Sequence, residues 1–280
     1  MSVLQMCGVA GFIRSGYYRF LDPEKPAGLD MDLRDEIQKI ALEWPCYGSR
    51  RITAELKARK WDVNRKRVQR LMREDNLLCV TKRGFVVATT DSAHGLRVYP
   101  NRAASMMLTG VDQLWVADIT YIRLEEEFVY LAVILDAYSR RVIGWHLGQG
   151  LDDSLTRNAL EMALRERTVL PGLVHHSDRG VQYASQAYTQ MLKEQGIDIS
   201  MSRKANPWDN AACESFMKTL KYEEVYRTEY RNLAHARASV GEFLEKVYNQ
   251  KRLHSALSYR SPVEFEKSLS MAASQQRVSA

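Results

Sequence analysis

Between Leu114 and Val225 the chain follows a rhythm that few folds accommodate. Three β-rich runs, Leu114–Leu124, Val129–Asp136 and Arg141–Leu147, are separated by turn-length gaps and predict three consecutive antiparallel strands. A helical period follows from Ser154 to about Arg167, with Leu155, Ala159, Met162 and Ala163 on one side, and Pro171-Gly172 ends it. Leu173–His176 then predicts a fourth strand, Ser185–Gln195 a helix closed by Gly196, and Ile197–Met201 a fifth strand. A long helix starts near Asn210 and passes through Glu214, Phe216, Leu220 and Val225. Three hairpin-linked strands followed by helix-strand alternation require a mixed α/β sheet with helices on its faces.

Ahead of that segment the chain reads as helical. Apolar positions Leu33, Ile37, Ile40 and Ala41 predict a helix from Asp32 to about Glu43, stopped by Pro45 and Gly48. A second helix is expected over Ser49–Arg59 and a third after Asn64, its N-cap, with Val68, Leu71 and Met72 inward. The last two form a helix-turn-helix candidate. Domains are accordingly expected at 1–30 (helical arm and linker, with Gly8, Gly11 and Gly16, then Pro23, Pro26 and Gly28), 31–83 (helix-turn-helix) and 84–112 (linker with a possible strand at Phe85–Ala88). Residues 113–230 are the expected catalytic core and 231–280 a C-terminal helical extension.

Charge supports this division. The 280 residues carry a net +6, and all of it lies in residues 1–83, with 17 basic against 11 acidic side chains; residues 84–280 hold 23 of each. Ten basic residues fall between Ser49 and Arg73, against Glu55 and Asp62 alone. Arg50, Arg51, Arg65, Lys66, Arg67 and Arg70 are the candidates for phosphate contact, the alternative being a solvated basic face. The longest apolar stretch, Val129–Leu135, is far below the ~20 residues that span a bilayer. A cytoplasmic protein is therefore expected, nucleoid-associated when bound to DNA, with no membrane partner. Cys7, Cys46, Cys79 and Cys213 lie far apart without a Cys-x-x-Cys, so neither zinc nor a disulfide framework is signalled.

Three carboxylates stand out by position. Asp118 lies in the first strand, Asp178 just past the fourth, and Glu214 on the last helix of the series. Groups so distant in sequence can converge at one end of a sheet, where hard oxygen ligands suit divalent cations. For Asp136 a structural turn role is expected. His175 and His176 are expected to shape the site's edge, and Trp208 and Asp209 to fix the turn entering the helix of Glu214.

These residues carry a family resemblance. The D-x59-D-x35-E spacing sits in the contexts W-x-x-D-I-T-Y-I, H-S-D-R-G-x-Q-Y and D-N-A-x-x-E-S-F. It resembles the RNase H-like, DDE catalytic core of retroviral-type integrases and, more narrowly, OrfB transposases of the insertion sequence three family. Gly16-Tyr17-Tyr18, Tyr47-Gly48-Ser49-Arg50-Arg51-Ile52, Tyr248-Asn249, His254-Ser255-Ala256-Leu257 and Ser261-Pro262 extend the likeness over nearly the whole chain. Ala117 stands where many relatives have threonine, and Leu253 where proline is usual. The retroviral His-His-Cys-Cys zinc module has no counterpart.

The resemblance implies a DNA transposase that cleaves at element ends and joins a 3′-hydroxyl to target DNA. Asp118, Asp178 and Glu214 would be both catalytic and metal-binding, with two Mg2+ ions or Mn2+ as substitute. Lys218 and Lys221, four and seven residues beyond Glu214 on one helix face, match basic positions that contact the DNA end, or else are ordinary surface lysines. Expected partners are terminal-repeat and target DNA, a second copy of the chain, and an OrfA-type product of an upstream frame. Two other functions stay open: a DNA-binding regulator or inhibitor of transposition with an idle core, and a structure-selective nuclease.

Overall fold

The computed structural model describes residues 3–10, 13, 27–77, 96–203 and 210–278. The expected strand at Phe85–Ala88, the turn residues Trp208 and Asp209, and the Gly11 and Gly16 positions lie outside them. The chain divides into two compact units, residues 1–80 and 81–280.

In the first unit, α1 (Val3–Ala10) precedes three helices, α2 (Ala27–Glu43), α3 (Ser49–Ala58) and α4 (Arg65–Glu74). Leu33, Ile37 and Ile40 of α2, Ile52 and Leu56 of α3, and Val68 and Leu71 of α4 are fully buried. Asn64 caps α4 as its sequence predicts, its side chain accepting from the Arg67 amide at 2.9 Å. Helix α2 corrects one expectation: instead of starting at Asp32 it begins at Ala27 and takes in Gly28, expected in the linker. Asp30 supplies the reason: its carboxylate pairs with Arg67 at 2.7 Å and with Arg70 at 3.4 Å, and a carboxylate in the first turn also suits the helix dipole.

The second unit is built on a five-stranded sheet in the order β3-β2-β1-β4-β5. Strands β1 (Leu114–Arg123), β2 (Phe128–Asp136) and β3 (Val142–Gly148) are antiparallel, and β4 (Val174–Ser177) and β5 (Asp198–Met201) run parallel to β1. This is the RNase H-like arrangement expected from the order of elements. One face carries α5 (Asp153–Glu166) and, after the short α6 (Val181–Ala184), α7 (Gln186–Glu194). Gly144 lets α5 lie directly on β3, since a Cβ there would stand 2.2 Å from the Ala159 carbonyl oxygen.

The other face is covered by α8 (Ala211–Leu220), which widens into a π-helical turn over Lys221–Val225, and by α9 (Leu233–Glu242), continued by π winding to Lys251. Helix α10 (Pro262–Val278) ends the described chain. The motif residues near the C-terminus tie this layer down. Asn249 both accepts from the Val142 amide and donates to its carbonyl, each at 2.9 Å. Arg252 grips the Glu223 carboxylate with two bonds of 2.7 Å. Among the described residues, no helix is long and apolar enough to cross a membrane.

Candidate active site

Strand pairing decides where the carboxylates meet. The parallel ladder between β1 and β4 ends at Val116 opposite His176. Asp118 and Asp178 each follow two residues later, so they leave the same end of adjacent strands, which run ~4.8 Å apart in a sheet. Asp118 shares the pleat side of Val116 and Ile122, which belong to the core cluster containing Cys213 and Phe216 of α8. Helix α8 therefore lies over Asp118. Its start is fastened by the Asn210 side-chain amide, which donates to the Ala117 carbonyl at 3.2 Å, immediately before Asp118. Glu214 occupies the first turn of that helix.

The electrostatics follow from this convergence. Asp118 is only partly open to solvent, and its carboxyl is pushed up to about 7, first by burial and then by the negative charge of Asp178, with Glu214 adding to it. The Ile119 amide, 2.9 Å from Asp118 Oδ1, works in the opposite direction. Asp178 is oriented by the Gly180 amide, which donates to its Oδ1 at 2.9 Å. The Cys213 thiol and the Tyr183 hydroxyl lie close by, both fully buried and both held protonated by that burial. Among the described residues no three His, Cys, Asp or Glu side chains are already gathered as a metal cage. What the site does offer suits an oxygen-preferring divalent cation: carboxylates whose mutual repulsion such a charge would relieve, and no thiolate for a softer metal.

The neighbouring predictions fall out unevenly. Asp136 is a turn carboxylate, accepting from the Ser139 and Asp112 amides, each at 2.7 Å. His175 and His176 are fully buried beneath the site. His175 Nε2 meets the Tyr188 hydroxyl at 2.9 Å, and burial pushes its pKa down to about 3. His176 Nδ1 lies 2.8 Å from Ser200 Oγ. Lys218 and Lys221, expected on one face, have different surroundings: Lys218 is exposed, whereas Lys221 is half-buried, with Nζ 4.5 Å from the centre of the Tyr121 ring. Lys221 is still held by an α-type bond to the Met217 carbonyl, the π winding beginning beyond it, and burial lowers its pKa against the raising influence of Asp118. Sequence reasoning overlooked Asn210 as a tether and Tyr121 as a neighbour of the site, although both stand inside the quoted motifs.

In the first unit the candidate arginines divide. Arg67 and Arg70 are engaged by Asp30, and Arg70 also by Glu74 at 2.8 Å. Arg51 lies over the Tyr47 ring, its guanidinium carbon 5.3 Å from the centroid. Arg50, Arg65 and Lys66 are exposed and have no carboxylate partner among the described residues.

Comparisons with known proteins agree with this anatomy. Residues 109–207 match the family model described as an integrase core domain, 195–262 a second integrase core model, and 29–85 an HTH-like domain. The chain is 40% identical over 273 residues to an uncharacterized 31 kDa protein of insertion element IS600 from Shigella sonnei, covering 96% of this chain and 100% of that protein. It is 34% identical over 271 residues to transposase InsF for insertion sequence IS3A from Escherichia coli K12, covering 95% and 94%. A solved catalytic core domain of BIV integrase is similar with a TM-score of 0.43 and 17% identity, over 58% of this chain and 98% of that one.

Proposed function

This chain belongs to the insertion-sequence transposases with an integrase core domain, a family of DDE polynucleotidyl transferases, and on that premise we propose that it cleaves DNA at the element's ends and joins the freed 3′-hydroxyl to target DNA. The observation that supports the reading is geometric: Asp118 and Asp178 follow the paired Val116 and His176 at one end of the β1–β4 ladder, and Asn210 fastens the start of Glu214's helix to Ala117 beside it. Asp118, Asp178 and Glu214 would hold the divalent cation. Two Mg2+ ions, when bound, supply activation of the attacking oxygen and stabilisation of the leaving one during in-line displacement.

The chain's own residues supply the positioning. Asn210 holds the first turn of α8 against β1, so Glu214 stays with Asp118. The Lys221 ammonium, beside Asp118, is placed to receive a phosphate oxygen of the DNA end. In the joining step the 3′-hydroxyl gives up its proton to solvent as its oxygen bonds to a target phosphorus, the bond from that phosphorus to its own 3′-oxygen breaks, and the released oxygen takes up a proton in return. One phosphodiester replaces another, so no external energy source is needed.

Arg50, Arg65 and Lys66 of the first unit are assigned to DNA phosphates, while Arg67 and Arg70 serve mainly to hold α4 to α2. Joining two element ends calls for at least two copies of the chain, with the OrfA-type product as a further partner. A labelled duplex carrying the terminal repeats that flank the coding frame tests the reading. Joined product is expected only with a divalent cation, and Asp178→Asn should lower its formation by ~10^2–10^3-fold or more. Joining that survives this substitution overturns the triad's role. Binding without joining, even with the upstream-frame product added, favours the regulatory reading.

A further inference from the structure

Beside the triad lies a cleft of about 960 Å³ that the chemistry of the carboxylates does not use. It opens between the far end of β1, the turn into β2 and the segment after α8, and Tyr121, Phe128, Tyr226 and Lys221 line it. The ring of Tyr121 meets that of Phe128 edge-on, with centroids 5.8 Å apart. Phe128 is 53% exposed, an unusual state for a phenylalanine beside other rings. None of the three carboxylates lines the cleft; Lys221 links it to them, with Nζ 4.5 Å from the centre of the Tyr121 ring and its charge felt by Asp118.

We propose that this cleft takes an unpaired segment of the DNA strand passing the triad, with its bases stacked on Tyr121, Phe128 and Tyr226. The proposal rests on the strand-transfer reading for the source of that strand. Its chemistry favours a single strand over a duplex. Aromatic faces reward unstacked bases of any identity, at ~1–3 kcal/mol per base, whereas bases inside a duplex have both faces covered by neighbouring pairs. Arg123, Lys221 and Arg231 supply charge for one backbone, whereas Glu125 and Glu229 in the same lining oppose the denser phosphates of two.

The test needs no bond to be cut. The full chain carrying Asp178→Asn is mixed, without divalent cation, with a blunt duplex or with the same duplex bearing an unpaired tail that contains 2-aminopurine. The tailed probe should bind about tenfold or more tightly, with its 2-aminopurine fluorescence quenched by stacking. Adding Phe128→Ala should remove most of that preference and the quenching while leaving blunt-duplex affinity within about twofold, and Phe128→Tyr should restore both. Equal affinity for the two probes, absence of quenching before any cleft substitution, or equal weakening of both probes by Phe128→Ala overturns the proposal. Failure of the strand-transfer reading would show instead in the joining assay, which this measurement does not touch.

Discussion

The two units handle charge in opposite ways. In residues 1–80 part of the basic charge is matched at the surface: Arg59 reaches Glu36, Glu43 and Glu55, and Asp30 spans Arg67 and Arg70. In the catalytic unit like charges are driven together in a partly desolvated corner, and Asp118 bears the consequence. The basic unit thus ties some of its cations into its own architecture and leaves others, Arg50, Arg65 and Lys66 among them, exposed without a carboxylate partner among the described residues. The second unit, only +2 in sum over residues 81–280, keeps a local excess of negative charge around Asp118. Net charge marked the wrong place for the strongest electrostatics, because burial, which a sum over residues ignores, sets the strength of each interaction.

That contrast can be broken at three points. The largest effect is expected where a pair is buried. Glu223→Ala would leave the nearly inaccessible Arg252 guanidinium without its carboxylate and should cost ~3–5 kcal/mol in denaturant unfolding. The surface pair removed by Asp30→Asn should cost only ~0.2–1 kcal/mol. Equal costs would dissolve the distinction between the units.

The next effect has the opposite sign. The Asp118 carboxyl titrates at about 7 in the folded chain against an ordinary 3.8, so the folded state holds a proton that the unfolded state has released. The resulting penalty is absent below pH 3.8, grows as pH rises and is complete above about 7. Asp118→Asn should therefore stabilise the metal-free protein at pH 8, by on the order of a few kcal/mol, with a higher melting temperature, and leave its stability unchanged at pH 3.5. Calorimetry at the two pH values checks this, and a variant less stable at pH 8 would contradict it. The smallest effect separates the arginines. Arg65→Gln should weaken DNA binding and reduce the salt dependence of log affinity by about one unit, whereas Arg67→Gln should act mainly on folding. Equal effects on the salt slope would place both on phosphate.

Legibility varied with the range of the interaction involved. The strands, the caps and the helix periods follow from neighbours a few residues apart, and Asn64 met its expected role through a single local bond. The beginning of α2 did not, because the partner that stabilises its first turn lies 37 residues away. The different burial of Lys218 and Lys221 was not legible, because it depends on Tyr121, a hundred residues away in sequence.

The sequence by itself determined the order of strands and helices from Leu114 to Leu220 and singled out three carboxylates as candidates, since periodicity and spacing are properties of the chain. Only the tertiary structure decided that Asp118 and Asp178 leave the same end of one parallel ladder, that Asn210 fastens α8 across it, and that Lys221 turns inward beside Tyr121. Those outcomes depend on strand register and on burial. Both arise only when segments distant in sequence pack together and exclude water, and the same exclusion raises the Asp118 carboxyl.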